Sequence, residues 1–468
     1  MIDAFQNFAR AFASYAWGPW LLVLLLGGGF FFLAYTRFAP FRHMPHAIAL
    51  LRGKYDSPDD PGEITHFQAL SSALAGTIGM GNIAGVALAI AIGGPGAIFW
   101  MWMTAILGIA TKFFTCTLAV MYRGRDSAGT LRGGPMYVIR EGLPKRWHWL
   151  AYMFAAFGLI GTLPVLQANQ LVQIVRDVVF IDAGWLAPEA DHFFFNLAAG
   201  IVLTIVASMV IFGGLHRIAQ VASRIVPSMS AVYLGATLVA ILLNIDRLPG
   251  VMWLILEDAF TARSAASGSL LAMILYGVQR GTFSNEAGIG TEVMAHGAAR
   301  TREPVREGLV AMMGPVIDTL LICSATAFTI LLSGVWQTDA GLNGVTLTAA
   351  AFQQLLGMTG LIVVVVTVIA FATTTILTYS FYGTQCAGFL FGAQHRHHYQ
   401  YVYVGFIVIA SVVTLEAAVS LIDGAYALMA IPTMVSTLLL APRVKEAATR
   451  YFAQIDRPRL RTRTRDAR

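Results

Sequence analysis

Charge is what this chain has least of. Of its 468 residues only 12% are Asp, Glu, Lys or Arg, while 57% are hydrophobic and the mean hydropathy is +0.67. A soluble domain carries roughly 25% charged residues, so that class is excluded and an integral membrane protein is expected. Cysteine is nearly absent as well. Cys116, Cys323 and Cys386 are scattered through apolar stretches without metal-ligand spacing, which points away from both a disulfide framework and a metal centre. No polar stretch is long enough for a separate soluble domain, and no low-complexity linker interrupts the chain. The N-terminus lacks a cationic region followed by a cleavage site, so its first apolar run is expected to remain as a helix. Catalytic pairings are missing too: no HExxH, Ser–His or paired His–acid arrangement falls in the apolar runs, and an enzyme is not expected. His395, His397 and His398 cluster beside Arg396 and read as a solvated loop.

What is present is long apolar segments. A span needs about 20 mostly apolar residues, and eleven are read at approximately 19–35, 66–92, 96–121, 150–175, 194–213, 219–244, 267–297, 308–334, 345–381, 401–419 and 424–442. Most of the 31 basic residues fall in alternate loops, among them Arg37 to Lys54, Arg123 to Arg146, Arg300 to Arg306 and the tail Arg443 to Arg468. Positive charge marks the cytoplasmic face, so an odd number of spans places the N-terminus outside and the C-terminus inside. The basic tail suits anionic lipid. It has no aromatic interleaving, and no nucleic-acid partner is expected.

Two segments break the apolar pattern. Ala75 to Gly96 crowds Gly76, Gly79, Gly81 and Gly85 around Thr77 and Asn82; Tyr276 to Thr291 holds Gly277, Gly281, Gly288 and Gly290 around Asn285 and Glu286. Glycine costs a helix interior about 1 kcal/mol relative to alanine. At membrane depth a broken helix is tolerated where the freed backbone lines a cavity. The two breaks are five spans apart, the pattern of a transporter with inverted repeats. The expected division is 1–65 for an N-terminal helix and loop, 66–244 and 267–442 for the two repeats, and 443–468 for the tail. At the breaks, freed N–H groups of Gly79, Met80 and Gly81 suit a carboxylate. Oxygens near Phe283, Ser284 and Asn285 suit an ammonium. The rival account is that these glycines only allow close helix packing. Glu286 and Asp318 are acids within the membrane, where charge is expensive and functional by default. Glu286 is expected to bond freed N–H groups of its own segment; Asp318 has no evident partner.

The stretches THFQAL (Thr65 to Leu70), GGPGAIFWMW (Gly93 to Trp102), GGPMYV (Gly133 to Val138) and RGTFSNEAGIG (Arg280 to Gly290) closely resemble the alanine or glycine:cation symporter family, over about residues 16 to 442. The resemblance implies an all-helical leucine-transporter-like fold of five-plus-five inverted repeats behind one extra N-terminal helix. It implies import of a small neutral amino acid with sodium across a bacterial inner membrane. Proton coupling, or glutamine as substrate, is the alternative within the fold, and a passive channel a more distant one. By analogy with the fold, sodium would lie between the carbonyls of Ala75 and Ile78 and the hydroxyls of Thr374 and Thr375, with Asn82 as either ligand or cap. Threonine in a membrane helix also back-bonds to its own helix. The substrate set implied is Thr77, Gly79, Met80, Gly81, Gln167, Phe283, Ser284, Asn285 and Tyr379. Tyr379 stands where the family often has Trp, Met80 and Ala168 where it often has Thr, which leaves the choice of amino acid open.

Overall fold

Thr65 starts the segment on which the rest is arranged. Its hydroxyl accepts from the backbone N–H of Gln68 (3.2 Å) while the Gln68 side chain accepts from the N–H of Thr65 (3.1 Å), a reciprocal cap that fixes the first turn of helix His66–Thr77. At Ile78 the backbone becomes extended (φ −74°, ψ 92°) and the helix stops. It resumes as a wide π-type turn, Gly81–Gly85, running into Val86–Gly93, and the two parts are bent by 52°.

The computed structural model describes residues 2–261, 269–338, 342, 344–412 and 416–465. Parts of the expected spans at 267–297 and 401–419, and the end of the tail, therefore lie outside the described residues. Apart from one small antiparallel hairpin, Gly124–Arg125 with Leu131–Arg132, the regular structure among these residues is helical. Eight helices are long and apolar enough to cross a membrane, or nine if the bent pair counts as one. Their outer faces are apolar: Phe193–Ile211 exposes Phe194, Val202 and Met209, as a lipid-facing helix does. The chain is a multi-pass membrane protein.

The second break lies later than the glycine spacing suggests. Gly277 and Gly281 stay inside the continuous helix Leu270–Asn285. A Cβ on Gly277 would lie 2.6 Å from the Ala97 carbonyl, and one on Gly281 3.0 Å from Met101 Cα, so both admit the close approach of helix Ala97–Met121. The packing account holds for these two. The interruption begins at Glu286, left-handed at φ 57°, and continues through Gly288 (φ 87°) and Gly290 (φ 101°) before the short helix Glu292–His296. Gly288 and Gly290 therefore serve as conformational breakers. Gly76 likewise remains helical, packed on Tyr382.

Among the helices outside the expected spans, the two longest are Ile2–Ala16 and Leu248–Thr261. The first packs on Glu416–Leu428 and the second on Ala97–Met121. Asp258 accepts from the N–H of Gly96 (3.0 Å), at the start of the latter helix. Gly344–Phe391 is two helices joined across a kink at Gly357 (φ 64°, ψ −150°). The tail continues the last helix, Ala430–Arg465.

On the basic side the two interrupted segments are stitched together. Glu63 donates its N–H to Ala298 O (2.8 Å), Arg300 N–H to Ile64 O (2.6 Å) and Thr301 N–H to Pro61 O (3.1 Å). Arg123 braces the seam, donating to the carbonyls of Gly297 (2.7 Å), Pro61 (3.0 Å), Thr301 (3.1 Å) and Ala299. Burial brings its guanidinium down to about 10, against the pull of the Glu307 carboxylate.

Candidate functional site

The first break is held open by a side chain. In an unbroken helix the N–H of Gly79 would bond the Ala75 carbonyl; here it donates to Asn82 Oδ1 at 2.9 Å. Asn82 N–H donates to Gly79 O rather than to Ile78 O. Both carbonyls expected at the ion site have thus lost their helical donors. Asn82 turns its amide nitrogen the other way, to Asp318 Oδ1 at 2.6 Å and the Asp318 carbonyl at 3.2 Å.

Asp318 is the residue on which both breaks converge. It sits in a π-type stretch, Val316–Cys323, fully buried. Its carboxylate accepts from Asn82 of the first broken segment, from Ser284 Oγ of the second (2.8 Å) and from Thr319 Oγ1 (2.7 Å). The sequence held no clue to these partners, which are 236 and 34 residues away. A buried carboxylate is costly unless paired and hydrogen-bonded. It has three donors, and among the described residues no ion pair to it is found within 4.0 Å.

A cavity of about 180 Å³ lies beside this centre, walled by Met80, Gly81, Phe283, Gln170, Arg280 and Asp423 among others. A Cβ on Gly81 would meet Ser284 Cα at 3.3 Å and the Phe283 ring at 3.4 Å, so the lack of a side chain at residue 81 eases the close approach of the two broken segments. Phe283 lies tilted against Tyr426 (5.3 Å between centroids), and Tyr426 is stacked 6.4 Å from Tyr379. Arg280 and Asp423, absent from the sequence-based set, are charged wall residues; Asp423 accepts from Gln279 at 3.2 Å.

The other expected residues divide. Thr375 Oγ1 faces Gly79, close against where a Cβ there would lie, and also bonds its own helix at Phe371 O (3.0 Å). Thr374 bonds Ala370 O and Phe371 O and reaches Met229 Sδ (3.9 Å) on helix Gly214–Leu243. Thr77 is buried, its hydroxyl 3.5 Å from Leu74 O. Gln167 is buried with its Oε1 unpartnered and is not in the cavity wall, where Gln170 stands instead. Asn285 turns from the cavity: its Oδ1 accepts the N–H of Ala287 (3.0 Å) and its amide lies 3.4 Å from Thr104. Glu286 corrects its expectation in kind. Its carboxylate accepts hydroxyls, Thr291 Oγ1 (2.5 Å) and Tyr379 OH (2.9 Å), while the freed N–H of Ala287 is met by Asn285.

Comparison with known proteins fits this arrangement. The chain matches the sodium:alanine symporter family over residues 2–464. It is 37% identical to the sodium/alanine symporter AgcS of Methanococcus maripaludis, covering 96% of this chain and 98% of that one. It is 36% identical to the probable sodium/glutamine symporter GlnT of Bacillus subtilis (94% and 89%). A putative sodium/proton-dependent alanine carrier protein of Bacillus subtilis, YrbD, is 39% identical over 80% of this chain and 76% of its own. Among solved structures, MhsT in complex with L-phenylalanine superposes with a TM-score of 0.55 at 13% identity, over 83% of this chain and 99% of that one. At that identity the likeness is one of fold, a leucine-transporter fold. With the family matched across nearly its full length, the chain belongs to the sodium:alanine symporter family.

Proposed function

We propose that this protein is a secondary active symporter that imports a small neutral amino acid with sodium by alternating access. The observation that carries this reading is the convergence of two interrupted membrane helices on buried Asp318, beside a cavity of about 180 Å³. Drug-sized pockets run to roughly 300–1,000 Å³, so a cavity this small selects a small solute. The alanine and glutamine carriers among the relatives support the substrate class. The architecture proposed is eleven spans, with 66–244 and 267–442 as inverted repeats, in a bacterial inner membrane with the N-terminus outside.

Within it, the substrate carboxylate lies at the first break near Gly79, Met80 and Gly81, and the ammonium near Phe283 and Ser284. Thr77, Gln167, Asn285 and Tyr379 shape that site from behind rather than forming its wall. One sodium is held by the carbonyls of Ala75 and Ile78 with Thr375 and Thr374. Asp318, with Asn82 and Ser284, supplies the negative charge for a cation at the meeting of the breaks. Purified protein in proteoliposomes tests the reading: an inward sodium gradient should concentrate labelled L-alanine, and lithium or choline should not replace sodium. Equilibration indifferent to the gradient would favour a channel and defeat it.

A further inference from the structure

Glu292 is the one acid buried in the described interior that nothing above employs and that receives no hydrogen bond from another residue. It is 0% exposed, and beyond its own backbone N–H neither carboxylate oxygen has a hydrogen-bond partner. Native structures rarely leave such a group bare, and each instance calls for an explanation such as water, an ion or an altered protonation state. Its short helix, Glu292–His296, packs against His66–Thr77, Ala97–Met121 and Gly344–Phe391. Those neighbours contribute further buried, unpartnered atoms: Ser72 Oγ, Thr378 Oγ1 and Tyr382 OH. One turn along the same face, His296 Nδ1–H donates to Glu307 Oε1 (2.5 Å), and its Nε2 is also unpartnered. Glu307's other oxygen meets His66 Nδ1, and His66 Nε2 lies 4.0 Å from Asp56, which is half-buried in the loop before the first broken helix. Titratable groups thus lead from Glu292 towards the basic face.

We propose that Glu292 is a proton-binding site of the carrier, loaded and emptied during the transport cycle. This deepens the symport reading and rests on it. The step is balanced by itself: an O–H bond forms at a Glu292 oxygen with a proton drawn from water on one side, and breaks when that proton passes to water on the other. A metal cation suits the place poorly. Among the described residues no three His, Cys, Asp or Glu side chains are grouped to hold one, and the charged neighbour from Ala97–Met121 is the Lys112 ammonium. The other titratable groups bearing on Glu292 are Cys116 from that helix, Tyr382 from Gly344–Phe391 and Glu286 of its own segment, while His66 of the first broken helix and His296 of its own pair with Glu307. Protonation removes the buried charge, the costliest part of leaving the group without a hydrogen bond from these neighbours.

Two measurements test it. Infrared difference spectra of the purified protein in lipid should show a carboxylic-acid C=O band that titrates with pH, is lost in Glu292→Gln and returns shifted in Glu292→Asp. In proteoliposomes with a trapped pH dye, L-alanine entry should acidify the lumen, and Glu292→Gln should abolish acidification per alanine moved while leaving sodium-dependent alanine exchange. A band or a proton-to-alanine ratio unchanged in Glu292→Gln overturns the proposal, as does a band that sodium at fixed pH removes. If the wild type moves no alanine at all, the transport reading fails, and the infrared band alone decides the proton site.

Discussion

Replacing Asp318 by Asn changes one atom and one charge at the point where the two broken helices meet. The carboxylate holds three donors at 2.6, 2.7 and 2.8 Å. A cation sharing that site would lie about 4 Å or less from the charge, where two unit charges at an effective dielectric of about 20 interact by about 4 kcal/mol. Each 1.4 kcal/mol is tenfold in affinity, so Asp318→Asn should raise the sodium concentration for half-maximal uptake by up to about a thousandfold. The fold should suffer less. The amide oxygen still accepts from Ser284 or Thr319, but its nitrogen confronts a donor, a mismatch costing about 1–3 kcal/mol. The assay is L-alanine uptake against sodium concentration, with sodium binding measured by scintillation proximity on the same preparation and thermal melting as the control. A half-saturation within about threefold of the wild type, in a variant that melts normally, refutes the placement of a cation at Asp318.

The other expectations are simpler. Gly79→Leu should abolish substrate binding, because even the first carbon of the side chain collides with Thr375 Oγ1, yet the protein should still insert and be purified; retained binding of normal affinity removes Gly79 from the site. Thr375→Ala should weaken sodium half-saturation about fivefold, the loss of one neutral oxygen ligand of about 1 kcal/mol, and more than Thr374→Ala does; an equal or absent response counts against the ion site. Asp126, in the hairpin turn, is drawn up by burial but held below the ordinary carboxylate range by Arg132, the N–H groups of Thr130 and Ala128, and Arg396. Its contribution to stability is therefore present above the unfolded carboxyl range and lost as pH falls through the depressed folded value. Asp126→Asn should lower the melting temperature at neutral pH, and the gap should close in acid; a gap independent of pH shows that charge is not its cause.

Sequence reasoning reached the family and the first break because both are written in local signals. THFQ caps a helix on its own, and Gly79 and Gly81 lie within a few residues of the extended Ile78. It drew the second break too wide, from Tyr276 where the chain yields only at Glu286, for a physical reason. Glycine in a membrane helix either yields the chain or admits a neighbour, and composition does not say which. Gly277 and Gly281 admit helix Ala97–Met121, whereas Gly288 and Gly290 bend the chain. Asp318's partners were illegible because they are distant in sequence and joined only by the fold. The helix Leu248–Thr261 was missed because its apolar stretch is short of a span and carries Glu257 and Asp258.

The seam on the basic side bears on how such a site opens. Segments 61–64 and 298–301 share several backbone hydrogen bonds, and Arg123 adds more across them. Each bond exchanged for water changes stability by only about 0.5–1.5 kcal/mol. Four backbone bonds therefore resist opening by about 2–6 kcal/mol, to which Arg123 adds, not by tens. A preference of that size is what differential binding of a solute and its cation can reverse, since shifting a two-state equilibrium from 1:99 to 99:1 takes about 5.5 kcal/mol. The seam joins the approach to the first broken helix with the exit from the second. Ligands that rearrange Asn82 and Ser284 around Asp318 thus act on the same two segments that the seam closes. If the protein works by the alternating access proposed above, covalent continuity would couple site and closure with no separate relay.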